Sequence, residues 1–302
     1  MRRFRALVRS AMLEALAEPL SAVLFLAALL AIPLLPVFHC HQFGEAGRLP
    51  RECGFSALLV FGVAFATSSA VRVIGGELSS GTASAALARD VSRPLFFCAK
   101  MIGVLEAFAL FVAAAGLSTL ASVATAEMGE VRERLGHFHL WMPGIAASTA
   151  LTLVGMAVAA ALNRFLRMRF CVTACLSLCL AQLPSLAFIA ATAEVPLRLA
   201  LLPAMGVLAV GCCVFIVLAG ALAVRLPSAA VTTGVALAAV SSFVWPVRAV
   251  LPDIGRFWLV DAFAYGGAPA PGQLAMPLVA GVLLVAFWLA VGSMLLERRE
   301  IP

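Results

Sequence analysis

Residues 66–100 read ATSSAVRVIGGELSSGTASAALARDVSRPLFFCAK, a polar and glycine-containing interlude set between two long apolar runs. Apolar runs of about 20 residues are what a helix needs to cross a bilayer. The runs flanking this interlude cover roughly 55–76 and 98–125. Further runs occupy 20–38, 143–162, 170–192, 199–224, 229–246 and 274–295. The expected fold is therefore an all-α membrane protein with about eight transmembrane helices. Short turns at 193–228 leave room for a re-entrant hairpin there, and six spans are the fallback count. The whole chain, 1–302, reads as a single polytopic transmembrane domain.

Composition agrees. Of 302 residues, 63% are apolar and only 12% charged, with a mean hydropathy of +1.07. Soluble domains are nearer 45–50% apolar and about 25% charged. A soluble globular domain, a disordered chain and a nucleic-acid binder are excluded on that ground. The net charge of +6 is spread between apolar runs rather than gathered on a solvated face.

The first 19 residues, MRRFRALVRSAMLEALAEP, place Phe4, Leu7, Val8, Met12 and Leu16 at helical spacing among Arg2, Arg3, Arg5 and Arg9. Segment 1–19 is read as an amphipathic helix lying on the membrane surface. A signal peptide is the alternative, but the apolar run is too long and no small-residue cleavage site follows. With the N-terminus inside, 14 of the 21 Lys and Arg residues fall on the inner side and 7 on the outer. That bias predicts cytoplasmic N- and C-termini. The block NRFLRMRF at 163–170 is its clearest contributor. Trp141, Trp245, Trp258 and Tyr265 fall at the outer boundary, where amphipathic rings are favoured. The Pro- and Gly-rich stretch 247–273 reads as outer loop with short interfacial helices.

The interlude itself is longer than a connection requires. Gly75, Gly76 and Gly81 loosen the backbone, residues 79–90 can form a short helix capped by Ser80 or Thr82, and Pro94 opens the next helix. Glu77, Ser80-Gly81-Thr82, Val91-Ser92-Arg93 and Lys100 resemble the corresponding pattern in permease subunits of ABC-2 type ABC transporters, with Asp90 where that family usually has proline. The ending MLLERREI at 294–301 is similar to the family's tail, with Glu297 in place of an aromatic, and 251–266 resembles its outer segment before the last span. The resemblance implies a dimer of permeases, homo- or heteromeric, on two separately encoded ABC ATPase subunits. The usage of one lysine against twenty arginines suggests a bacterial genome of high GC content, which fits an inner membrane. The resemblance also implies that 77–97 is a cytoplasmic coupling helix segment between spans two and three. Glu77, Gly81, Thr82, Arg89, Asp90, Ser92 and Arg93 are then its candidate coupling residues. The different classes that stay open are a stand-alone secondary transporter and a membrane assembly factor.

Motifs for chemistry are sparse. The only lysine, Lys100, lies between Ala99 and Met101, so there is no Walker A loop. No H-E-x-x-H or G-x-S-x-G is present, and neither enzymatic activity in this chain nor a cofactor is expected. Glu106 falls inside the third span, where a carboxylate costs about 2.5–3.5 kcal/mol to insert. It is expected to be buried against a pathway or interface, or else to serve helix packing or pair with Lys100. Cys171, Cys175 and Cys179 share a helical face and, like Cys212-Cys213, read as small packing residues. His39, His41, His137 and His139 read as outer-loop polar residues, and no metal site is assigned. Cys40 and Cys53 bracket one outer loop, HCHQFGEAGRLPREC, and an oxidising compartment would permit a disulfide between them.

Overall fold

The computed structural model describes residues 2–38, 46–82, 91–137, 140–244, 251, 253–267 and 269–299. Among them there is no strand, and seven helices are long and apolar enough to cross a membrane. The chain is a multi-pass α-helical membrane protein.

Helix α1 (Arg2–Ala17) precedes α2 (Pro19–Leu34). Helix α3 (Arg48–Ala70) continues through a π-helical turn, Val71–Gly76, into a last α turn, Glu77–Ser79. Then come α4 (Arg93–Arg134), α5 (Met142–Leu166), α6 (Phe170–Thr192), α7 (Leu201–Ala223), α8 (Ser228–Val244) and, after the short helix Ile254–Phe257 and the 3-10 segment Val260–Gly266, α9 (Pro271–Glu297).

Several helices outrun the apolar stretches that announce them. Helix α3 begins at Arg48 because its first turn is a polar one: Arg48 pairs with Glu52 at 2.7 Å, and Arg51 donates to the Phe263 carbonyl at 3.4 Å. Helix α4 is 42 residues, about 63 Å at the usual helical rise, twice a hydrocarbon core of about 30 Å. Its far end is polar and carries the local pair Glu130–Arg134. The expected seventh span is short: α8 has 17 residues, or about 26 Å. Within 193–228 the chain forms α7, a continuous 23-residue helix buried along most of its apolar stretch.

Packing centres on α4. Phe25, Phe65, Phe108 and Phe111 bring α2, α3 and α4 together. Phe25 meets Phe65 and Phe111 edge-on, at ring separations of 5.6 and 5.1 Å. Such aromatic pairs add about 0.5–1.5 kcal/mol each beyond their area. Helices α5 and α6 are joined by polar contacts: Gln182 donates to Thr152 at 3.3 Å and Ser185 to Ser148 at 3.0 Å. Hydrogen bonds of this kind are useful in lipid, where apolar side chains gain little by leaving apolar solvent. Cys175 and Cys179 face the Leu16 and Leu110 carbonyls, at 4.0 and 3.5 Å, as packing residues against α1 and α4. The turn between α5 and α6 holds Arg167 at φ 54°, with Asn163 donating to the Met168 carbonyl at 2.7 Å.

The amphipathic segment does more than lie on a surface. Helix α1 packs along α4, burying Val8, Ala11, Ala15 and Leu16 while Phe4, Leu7 and Met12 stay half-exposed. Its alanines sit deepest because α4 offers Gly103 at the crossing. A Cβ at Gly103 would stand 2.4 Å from the Val8 carbonyl oxygen, so only glycine admits so close a backbone.

The ends of α7 and α9 meet. Arg299 donates to the Val224 carbonyl, and Arg225 to the Arg298 carbonyl at 3.1 Å. Helix α8 touches both the π-helical turn of α3 at this end and the short helix Ile254–Phe257 beyond its other end.

Candidate functional site: a buried ionic junction where α1, α3 and α4 meet

Lys100 lies one turn before Gly103 on α4 and is only 2% exposed. A buried ammonium needs partners, because desolvation is costly unless the charge is paired. Two are supplied from distant segments. Glu77, in the turn that closes α3, is 2.5 Å away, and Glu14, on α1, is 3.4 Å away. The Phe96 ring centroid lies 5.9 Å from the same Nζ. Burial raises the Glu14 pKa above its usual 4.5; Lys100 opposes that shift and the neighbouring Glu77 adds to it. Beside this junction, Arg72 in the π-helical turn lies 2.6 Å from Glu18, the residue that opens α2.

The local sequence explains the geometry. Glu14 is three residues beyond Ala11, so it shares the α1 face that packs on α4. The π-helical turn at 71–76 displaces the end of α3 from regular helical register, a distortion frequent at functional sites. Glu77 follows immediately and is carried to Lys100.

The interlude is thus fastened at both ends. At its start Glu77 binds Lys100, Gly81 adopts φ +73°, and the Ser80 and Thr82 hydroxyls lie 2.9 Å apart. Thr82 also donates to the Glu77 carbonyl at 3.4 Å. At its close Ser92 is the N-cap of α4, its carbonyl accepting the Phe96 N–H at 3.0 Å. Arg93 is not simply a solvated charge. Its guanidinium donates to the carbonyls of Leu296 (3.4 Å), Glu297 (3.0 Å) and Arg299 (2.6 Å), gripping the end of α9. Arg89 and Asp90 lie outside the described residues, as does the expected short helix from 83 onward.

The remaining sequence candidates stand apart. Glu106 is exposed on the side of α4, not buried, and makes no ion pair among the described residues. It does not pair with Lys100, whose carboxylates come from Glu77 and Glu14. The α1 crossing at Gly103 separates the two charges. Cys53 is a free, half-exposed thiol; Cys40, its expected partner, lies outside the described residues together with His39 and His41. His137 is exposed, and His139 is likewise not described. Among the described residues no three His, Cys, Asp or Glu side chains gather as metal ligands. Trp141 is buried at the N-cap of α5 and Trp258 packs on Phe55, while Trp245 lies outside the described residues.

Sequence reading missed the roles of Lys100 and Glu14. One signal was available for each: Lys100 is the single lysine of the chain, placed inside an apolar run, and Glu14 interrupts the apolar end of an otherwise basic helix. Compared with protein-family models, curated proteins and solved structures, the chain gives no match.

Proposed function

We propose that this chain is the membrane-spanning permease subunit of an ABC transporter of the ABC-2 type, moving its substrate with ATP hydrolysed by a separate subunit. The observation that carries the reading is the ionic junction. One interlude, 77–97, is tied through Glu77 to Lys100 of α4, which Glu14 of α1 also holds, and through Arg93 to α9. A push on that interlude would move three membrane-associated helices as one body, which is how a rigid-body transition is transmitted. The ATPase is the partner that would push, and a second permease completes the assembly.

In this reading the junction faces the cytoplasm of a bacterial cell, in the inner membrane. Both termini lie on that side. Because α7 and α9 end together, α9 starts at the opposite face, and the chain has to return there between 225 and 271. The short helix α8 makes that return, giving eight crossings. The excess of Lys and Arg on the junction side supports the orientation.

The test is co-purification with a candidate ABC ATPase subunit from the same cells, using an Arg89→Ala, Asp90→Ala double variant. Arg93 is left intact because it holds α9. The expected result is a folded permease that loses the ATPase or uncouples hydrolysis from transport. Coupled turnover at the unaltered rate would overturn the role of the interlude. Transport by the isolated chain under an ion gradient would overturn the whole reading in favour of a secondary transporter.

A further inference from the structure

At the end of the bundle remote from the junction, a groove of about 1330 Å³ opens between α9 and the segment 251–262. Its floor is apolar: Met276, Val279 and Leu283 of α9 are 75%, 58% and 64% exposed. Its rim is not. Asp253, Arg256 and Asp261 stand at the mouth beside Trp258.

Length decides what such a groove can hold. It runs along α9 from Gly272 to Leu284. That is about 18 Å at the helical rise, and one leaflet of hydrocarbon is about 15 Å deep. The groove therefore begins at one membrane face and stops near the midplane. Volume points the same way, since pockets for drug-sized ligands lie nearer 300–1,000 Å³. Charge at the rim narrows the occupant further. Arg256 is 3.4 Å from Asp253 yet 59% exposed, leaving donors for a phosphate. Asp261 is exposed, with no ion pair among the described residues, and offers its carboxylate to an amine. Trp258 supplies the amphipathic ring favoured at headgroup level.

We propose that this groove holds one aminophospholipid of the outer leaflet. Its phosphate lies at Arg256, its primary amine at Asp261, and its chains lie along α9. The inference takes its leaflet from the orientation given above, but binding itself does not depend on an ATPase partner.

The probe is the full chain with Trp258 as its only tryptophan (Trp141→Phe, Trp245→Phe, Trp288→Phe), in nanodiscs of phosphatidylcholine. Chain-brominated phosphatidylethanolamine or chain-brominated phosphatidylglycerol is added in steps, and quenching of Trp258 is read. Half-maximal quenching should need about threefold less phosphatidylethanolamine than phosphatidylglycerol, the scale of one exposed charge contact. Asp261→Asn should remove the difference. Ala280→Phe, on the exposed groove wall, should reduce quenching by both lipids. Equal quenching by the two headgroups would mean ordinary boundary lipid and overturn the proposal. Absent quenching, with crosslinking between copies through α9, would mean a second copy covers the groove and overturn it as well. Loss of the orientation argument alone would leave the quenching preference in place, so the two failures are distinguishable.

Discussion

The two ends of this bundle are held together by different kinds of contact. At the junction end the polar contacts join segments far apart in the chain: Lys100 with Glu14 and Glu77, Arg72 with Glu18, Arg93 with the end of α9, Arg299 with the end of α7. At the opposite end the ion pairs described are mostly local: Arg48–Glu52 and Arg134–Glu130 are four residues apart and Arg256–Asp253 three, with Arg198–Glu127 the exception. The other contacts that reach further there are hydrogen bonds, from Arg51 to Phe263, Ser122 to Ile32 and Ser185 to Ser148. Local pairs steady the helix that carries them by a few tenths of a kcal/mol and do little between helices. The junction end is therefore tied by charged contacts between helices, whereas the far end relies on hydrogen bonds and packing and carries an open groove beside α9.

Lys100→Met gives the largest effect expected of this contrast. It strands two carboxylates, one of which, Glu14, burial already penalises, and breaking a buried pair costs about 3–5 kcal/mol. Glu77 and Glu14 keep 21% and 33% of their side-chain surface. Water reaches them, so a loss of about 3 kcal/mol, at the lower end of that scale, is expected. It is read as a fall in thermal midpoint in detergent and in yield of folded protein. Adding Glu77→Gln to Lys100→Met should recover part of the loss, since the stranded charge is then gone. Failure of the second substitution to help would mean that Lys100 acts by packing on Phe96, not by charge.

Arg93→Ala comes next. Three carbonyls of the α9 terminus lose a charged donor, for a net cost of about 2 kcal/mol. The measurable sign is faster carboxypeptidase trimming of the C-terminus at unchanged trimming rates in a Glu130→Gln control. Arg93→Lys should restore little, because an ammonium cannot present the guanidinium fork to several acceptors.

How much of this was legible beforehand differs between the two ends for a physical reason. Apolar length fixes the spans, so seven of the helices and the polar interlude could be read directly. It does not say which span is central. Helices α7 and α9 have nearly equal mean hydropathy, 2.6 and 2.5, yet one is 72% buried along its apolar window and the other 11%. Lipid and protein interior are equally apolar, so hydropathy cannot separate them. Glu77, Gly81, Thr82, Ser92 and Arg93 could be singled out by pattern. Their partners could not, because Glu14 and the α9 carbonyls reach them only through tertiary packing at Gly103 and at the end of α7. Glu106 shows the same limit: its depth in the span was readable, but not that it faces outward.

Acid offers a third test of the junction. The Glu14 pKa lies above 4.5 in the folded protein, chiefly through burial. A raised carboxyl pKa means that the folded state binds its proton more tightly than the unfolded state. The resulting stabilisation is full below the unfolded value of 4.5 and is lost as pH rises through the folded value. Glu14→Gln should flatten that portion of the curve of thermal midpoint against pH. An unchanged slope in the variant would assign the dependence to another group.

The smallest effect is expected at the far end, and it sets the floor of the comparison. Arg134 and Glu130 sit one turn apart at the exposed end of α4, with 76% and 34% of their side-chain surface open. Water and salt screen such a pair, so Glu130→Gln should cost no more than about 0.5 kcal/mol, and less in high salt. Arg198→Ala is the informative neighbour. Its partner Glu127 is only 16% exposed, and the pair ties α4 to the chain that enters α7. That variant should fall between Glu130→Gln and Arg93→Ala in thermal midpoint. If instead Glu130→Gln matched Lys100→Met, local pairs would be carrying as much as the junction, and the two ends would not differ in the way their contacts imply.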